Sequence, residues 1–323
     1  MNPKILVITP INHIKGVTET LSSIGELCIL EDPNIEQLLS VVDEYDAIFT
    51  NPNKSKIYLD ENIFKLSKNL KVICTASTGT NHIEREKLGK YSIDLLSLTE
   101  EREVINKISS TAEHALALTL GSLRNIHTSF KSVLQGEWNY EDYIGRQVNR
   151  LTVGVIGYGR LGEMYSHYMA SIGAKVIVFD PYKQIDSNMV EEIESLESIF
   201  EMSDVISLHV HVSEETTGMI NKQILDIAKD NLLLVNTSRG EIINEADLVE
   251  FLKQNPKSRV AVDVVAEEII DRNKNLLIDF SKKSDRILIT PHIGGMTLEA
   301  QEIAYNHAAN MLASYFDRII SEY

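Results

Sequence analysis

Cysteine is scarce in this chain: 323 residues contain two, Cys28 and Cys74. They stand far apart inside apolar stretches (ELCIL and KVICTA) and make no CxxC or zinc-type spacing. A disulfide framework and a structural metal are therefore excluded, and both residues read as buried, unreactive thiols. Long apolar runs are missing too, since nothing approaches the ~18 residues of a membrane span. Bases are the minority: 31 Lys and Arg face 47 Asp and Glu, a net charge of −16. A surface that acidic repels phosphate backbones and anionic lipid, which sets nucleic acid and membranes aside as partners. The opening MNPKILVITP closes at Pro10 without a small-residue cleavage site, so it reads as a first β-strand rather than a leader, and the cytoplasm is the expected location.

What is present is an ordinary globular composition, 43% hydrophobic and 24% charged, in a length suited to two domains of ~150 residues. Short β-branched runs alternate with segments of helical period, the pattern of an α/β protein with parallel sheets. In the first hundred residues the strand candidates are Lys4–Thr9, Leu27–Leu30, Ala47–Thr50, Lys71–Ala76 and Leu95–Leu98. A long helix follows over Ser109–Asn125, then a turn-rich aromatic stretch, where Trp138 is expected to anchor packing between helices or at a dimer interface. The alternation restarts with six strands: Thr152–Ile156, Lys175–Phe179, Val205–His209, Leu232–Asn236, Val260–Val264 and Ile287–Thr290. The acidic stretch Glu191–Glu197 reads as a solvated helix face, and Thr297–Ile320 as a closing helix. Six strands with intervening helices match a dinucleotide-binding sheet.

TVGVIGYGRLG places Gly157-x-Gly159-x-x-Gly162 directly after a strand and before a helix. Gly157 permits the sharp turn, Gly159 lets the backbone approach a pyrophosphate, and Gly162 permits close helix–strand packing. Asp180 ends the next strand, about 20 residues on, where a carboxylate accepts hydrogen bonds from ribose hydroxyls and repels a 2′-phosphate. NAD is therefore the expected cofactor. Downstream, NTSRGEIIN carries Arg239, VAVDVVAEE carries Asp263 and Glu268, and TPHIGG carries His292. Each follows a strand, at the edge where open α/β sheets bind ligands. Arg, carboxylate and His beside a nicotinamide suit oxidation of a hydroxy acid. The Arg clamps a carboxylate with two prongs, the His takes a proton as hydride leaves, and the acid favours the protonated His.

With these residues in place, the chain resembles the D-isomer-specific 2-hydroxyacid dehydrogenase family. The resemblance runs from about residue 70 onward through STGTNHI, TAEHALAL, Gly136-x-Trp138, GYGRLG, LHVHVSEETTGMIN, NTSRG, DVVAEE and PHIGG. It implies a Rossmann dinucleotide-binding domain over 104–295 and a smaller flavodoxin-like substrate domain over 1–103, completed by 296–323. It also implies a homodimer built through the nucleotide domain. Arg239 would bind the substrate carboxylate, and His292, paired with Glu268, would be the acid/base. Glu267 is adjacent, and spacing favours Glu268. Cofactor contacts would come from Gly157, Gly159, Arg160, Leu161, Gly162, Asp180, His209, Val210, His211, Thr216, Asn236, Thr237, Ser238, Asp263, His292 and Gly294. Asn51, Ser77, Thr78, Gly79, Arg239 and His292 would meet the substrate.

The chain departs from the family pattern at several positions. His211 replaces a usual Pro, Val265 a usual aromatic residue and Ile269 a usual Pro. Thr50-Asn51-Pro52-Asn53 stands where phosphoglycerate enzymes often carry Arg-Ser after the third strand, which leaves Lys54 or Lys56 to meet any substrate phosphate. The last helix closes the chain, so no appended regulatory domain is expected. A binding-protein alternative of the same fold, a nucleotide-sensing corepressor, keeps these residues, and the lack of a long disordered extension for partner recruitment favours the enzyme.

Overall fold

The structure, a computed structural model, describes residues 2–52, 57–268 and 274–321; Lys54, Lys56 and Ile269 fall outside them. The chain divides into two compact units, one of Met1–Ile108 with Met296–Tyr323 and one of Ser109–Gly295.

In the first unit five strands form a parallel sheet: β1 (Lys4–Val7), β2 (Glu26–Ile29), β3 (Ala47–Thr50), β4 (Val72–Thr75) and β5 (Asp94–Ser97), in the order β2-β1-β3-β4-β5. That order is the flavodoxin-like one, with its switch point between β1 and β3. Both faces are covered, which is why the strands read as continuous apolar runs. Ile5, Val7, Phe49, Val72 and Cys74 pack on one face, and Leu6, Ile8, Ile48 and Ile73 on the other. The helix Leu298–Ser321 covers the first face with Ala304, Tyr305, Ala308, Leu312 and Phe316, an i, i+3/i+4 stripe. Cys74 is fully buried against it, and burial pushes its thiol pKa up. Both cysteines are free.

The second unit holds seven parallel strands: β6 (Thr152–Ile156), β7 (Lys175–Phe179), β8 (Glu191–Glu192), β9 (Val205–Leu208), β10 (Leu233–Asn236), β11 (Arg259–Val262) and β12 (Ile287–Ile289). Their order, β12-β11-β10-β9-β6-β7-β8, is the doubly wound arrangement, with the reversal between β6 and β9. Val153, Val155, Val178 and Val235 face one core, and Ile156, Ile177, Ile206 and Val262 the other. The helix Ser110–Leu123 covers the first of these cores with Ala112, Ala115 and Leu118.

Two expectations are corrected. Glu191–Glu192 forms an edge strand beside β7 rather than a helix face, with the Glu191 carboxylate 2.8 Å from the Lys175 ammonium. The helix begins only at Leu196, where the Ser195 side chain accepts from the Ser198 N–H. Trp138 is 90% exposed, so it does not anchor packing between helices among the described residues.

Candidate active site

The glycine loop sits at the strand reversal, and each glycine answers a different constraint. Gly157 has φ of 88°, in the left-handed region, and a Cβ there would lie 2.6 Å from the His209 carbonyl oxygen. A Cβ on Gly162 would lie 2.0 Å from the Gly157 carbonyl oxygen, so the helix Arg160–Ser171 can pack this closely only without one. At Gly159 a Cβ would meet nothing within 4 Å. Gly159 is also the N-cap, and no side chain caps the helix. Its first N–H groups, on Arg160, Leu161 and Gly162, lie at the positive end of the helix. A pyrophosphate fits there.

Asp180 leaves β7 and accepts from two backbone N–H groups, Tyr158 at 2.7 Å and Tyr182 at 2.9 Å. It thereby ties the glycine loop to the end of β7, and an ionised carboxylate keeps further acceptor capacity for ribose hydroxyls. Lys183 escaped the sequence reading. Its ammonium donates to the Tyr158 carbonyl at 2.9 Å and lies 4.8 Å from the Tyr158 ring. A lysine three residues past a turn carries no signal of such a contact.

His209 stands behind the loop. Its Nε2 pairs with the Ser207 hydroxyl at 2.8 Å, its ring lies 5.1 Å from that of Tyr165, and desolvation lowers its pKa to about 3. The imidazole is therefore neutral, and its side chain supports the loop. Val210 touches the Gly157 position. His211 is exposed and Thr216 half-buried; the Thr216 hydroxyl donates to the His211 carbonyl at 2.6 Å and closes the turn. Across this surface the Tyr182 hydroxyl donates to Glu215.

The loop after β10 is set by Asn236, which is fully buried. Its amide donates to the Arg239 carbonyl at 2.7 Å and accepts from the Ser238 N–H at 2.9 Å. The Ser238 hydroxyl donates to the Leu208 carbonyl at 2.8 Å. The Thr237 hydroxyl is buried without a partner among the described residues, a free donor beside the dinucleotide crevice. Arg239 makes one hydrogen bond, from Nη1 to the Ser238 carbonyl at 2.6 Å, and forms no ion pair among the described residues. Its remaining N–H donors are available to a carboxylate.

The loops after β11 and β12 meet through Asp263, which is 2% exposed. It accepts from the Thr290 hydroxyl at 2.5 Å and from the N–H groups of Ile293 at 2.9 Å and Gly294 at 2.7 Å. His114 Nε2 stands 3.3 Å away. Burial alone would raise the pKa of this carboxyl, and the bonds from His114, Thr290, Ile293 and Gly294 outweigh it, holding it below the usual carboxylate range. Asp263 thus spends its acceptors on the protein and holds the segment bearing His292. His292 has φ of 55°, and its N–H donates to the Asp263 carbonyl at 2.9 Å. From there its Nδ1 lies 2.5 Å from Glu268 Oε1. Glu268, not Glu267, is the partner. An ionised carboxylate only accepts, so Nδ1 carries the proton. Nε2 has no partner among the described residues.

The substrate candidates of the first unit sit at the carboxyl ends of β3 and β4. Asn51 is 5% exposed and its amide donates to the Ala76 carbonyl at 2.8 Å. The Ser77 hydroxyl donates to the Gly79 carbonyl at 2.7 Å, and the Thr78 carbonyl accepts from the Thr99 hydroxyl at 2.9 Å. His82 is buried beside them, with Nε2 3.3 Å from the Thr75 hydroxyl. No group of His, Cys, Asp and Glu among the described residues is arranged to hold a metal ion, and none of their helices is long and apolar enough to cross a membrane.

Known proteins resemble this chain in sequence and fold. Residues 116–294 match the family described as D-isomer specific 2-hydroxyacid dehydrogenase, NAD binding domain. A D-3-phosphoglycerate dehydrogenase of Archaeoglobus fulgidus is 30% identical over 92% of this chain and 54% of its own length. The chain therefore spans about half the length of that relative. A hydroxypyruvate reductase of Thermotoga maritima is 30% identical over 89% of this chain and 90% of its own. Among solved structures, a D-lactate dehydrogenase from Aquifex aeolicus, complexed with NAD and lactic acid, superposes with a TM-score of 0.81 at 25% identity, covering 98% of this chain and 96% of that one. With the glycine loop, the doubly wound strand order and these matches, the chain belongs to the D-isomer specific 2-hydroxyacid dehydrogenase family.

Proposed function

We propose that the chain is an NAD-dependent oxidoreductase that moves a hydride between nicotinamide and C2 of a small D-2-hydroxy acid or its 2-oxo acid. The observation that carries this reading is the 2.5 Å contact of His292 Nδ1 with Glu268, which leaves Nε2 without a partner among the described residues. Bound nicotinamide supplies the hydride acceptor in oxidation. Arg239 holds the substrate carboxylate with its uncommitted N–H donors and so orients C2. His292 Nε2 takes the hydroxyl proton as the C2 hydride departs, and Glu268 stabilises the imidazolium that results. In reduction the same proton returns from Nε2 to the carbonyl oxygen.

Residues Ser109–Gly295 are the cofactor domain in this reading, and Met1–Ile108 with Met296–Tyr323 present Asn51, Ser77, Thr78 and Gly79 to the substrate. A second copy of the chain is the inferred partner. The stretch from Ile126 to Ile144 exposes Phe130 by 63%, Leu134 by 72%, Trp138 by 90% and Ile144 by 75%, a run of exposed apolar side chains that supports this reading. The cytoplasm is the proposed location, in keeping with two free cysteines.

A panel of 2-oxo acids assayed with NADH by loss of absorbance tests the activity. Turnover is expected for at least one short 2-oxo acid, and His292→Ala should lower it by ~10²–10⁴ while NADH still binds. Full activity in His292→Ala would overturn the mechanism.

A further inference from the structure

We propose that Glu245 is a positioning residue for the acid–base pair, acting through the backbone that carries Glu268. The inference rests on the roles given above to His292 and Glu268. Glu245 is the first residue of the helix Glu245–Gln254, whose N-cap is Asn244, with its side chain accepting from the Asp247 N–H. The helix end is therefore capped without the Glu245 carboxylate, which is turned inward and 8% exposed. One carboxylate oxygen accepts from the Ala266 N–H at 2.8 Å, and the other accepts from the Asn275 side-chain amide at 2.7 Å. The same Asn275 amide also donates to the Ala266 carbonyl at 3.2 Å. Its oxygen meanwhile caps the helix Leu276–Ser281 through the N–H groups of Leu277 and Ile278. Glu245 thus fixes one residue on each side of Glu268, and the two fixed residues are bonded to each other.

Ala266 is the critical anchor. It lies two residues before Glu268, and Glu267 between them has φ of 55°. A left-handed residue directly after a pinned one sets the direction in which the Glu268 side chain leaves. Gly240 meets the same point, because a Cβ on it would lie 2.0 Å from the Val265 carbonyl carbon and 2.2 Å from the Ala266 nitrogen. The backbone next to Arg239 therefore rests on the residue that Glu245 holds. One clamp registers the carboxylate-binding loop against the segment bearing the partner of His292. Burial raises the Glu245 pKa, the charges of Glu241 and Glu267 add to the rise, and the bonds from Asn275 and Ala266 oppose it. A join that served packing alone would be served as well by apolar side chains. An acceptor with two oxygens suits a site where two donors must be held at fixed positions.

The test uses the full chain with E245A, E245Q, E268Q and E245A/E268Q. Single-turnover hydride transfer is followed across pH, with NADH affinity by fluorescence and melting temperature as controls. E245A is expected to lower kcat by roughly 10- to 100-fold, the range of an ångström-scale misplacement, with NADH affinity unchanged. Its pH limb should move in the same direction as that of E268Q. E245Q, which keeps one acceptor oxygen, should fall between E245A and wild type. E245A should cost nothing further in the E268Q background, because the two act through one element. A moved limb in E268Q with an unmoved limb in E245A overturns the clamp and leaves the acid–base reading intact. An unmoved limb in E268Q overturns the acid–base reading and the clamp with it. Should E245A fail to fold, E245Q decides by the same readouts.

Discussion

His209 makes the stability of the larger unit depend on pH in a defined window. Its folded pKa is lowered to about 3 by desolvation, whereas an unfolded histidine titrates near ~6.5. As pH falls through ~6.5 the unfolded chain takes up a proton that the folded one refuses. The stabilisation is therefore complete above ~6.5 and is lost progressively as pH drops toward 3. The slope is ~1.4 kcal/mol per pH unit, so lowering the pH from 7.5 to 5.0 should remove ~2 kcal/mol through this residue alone. Other carboxyls titrate in the same range, and a difference measurement removes them. His209→Gln retains a polar end for Ser207 and cannot take up the proton. Urea titrations of both proteins at several pH values, read by hydrogen exchange of peptides from β6 and β9, report on this unit specifically. Wild type should lose stability faster than His209→Gln between pH 6.5 and 5. Parallel curves would refute the assignment of a neutral, desolvated imidazole behind the glycine loop.

Asp180 should favour NADH over NADPH by at least about tenfold, or ~1.4 kcal/mol, because a 2′-phosphate would face a carboxylate; fluorescence titrations showing equal affinities would remove that role. Arg239→Lys keeps the charge and loses the planar fork, so KM should rise and kcat fall together with NADH affinity little changed. Near-normal kcat/KM in that variant would mean that another group holds the carboxylate. Trp138→Glu combined with Leu134→Glu should shift the inferred dimer to monomers in analytical ultracentrifugation, and an unchanged sedimentation coefficient would place the interface elsewhere.

Much of the architecture was legible because burial on both faces of a parallel sheet leaves a plain mark. Thr152–Ile156 and Lys175–Phe179 stand in the fold with the bounds their β-branched runs suggest. β8 was illegible for the complementary reason. Two glutamates have neither hydrophobic alternation nor strand propensity, and their pairing with Ile177 and Val178 is set by the backbone at a sheet edge. Within the site, the residues that could be read are those whose chemistry depends on local order, such as glycines in a turn or a histidine after a strand. Asp263 shows the limit: spacing places it at the carboxyl edge, and only the folded loops reveal that its acceptors are taken by Thr290, Ile293 and Gly294. Glu245 was hidden altogether. An acidic residue in the first turn of a helix is common for its own electrostatic reasons, and its partners are 21 and 30 positions away.

The discontinuity of the first unit has a consequence for the time course of synthesis. Its strands emerge first, but the residues that cover one face of the sheet, from Ala304 to Phe316, belong to the other end of the chain. Ribosomes adding ~5–20 residues per second need roughly 10–40 s to make the intervening segment. During that interval Ile5, Val7, Phe49 and Val72 lack the part of their cover that Ala304–Phe316 supply, while the larger unit, continuous in sequence, can fold as it appears. The nascent small unit is thus the stage at which this chain is most exposed to aggregation and most dependent on a chaperone that recognises apolar β-structure. A circular permutant that joins the last helix directly to the first strand should shorten that exposure.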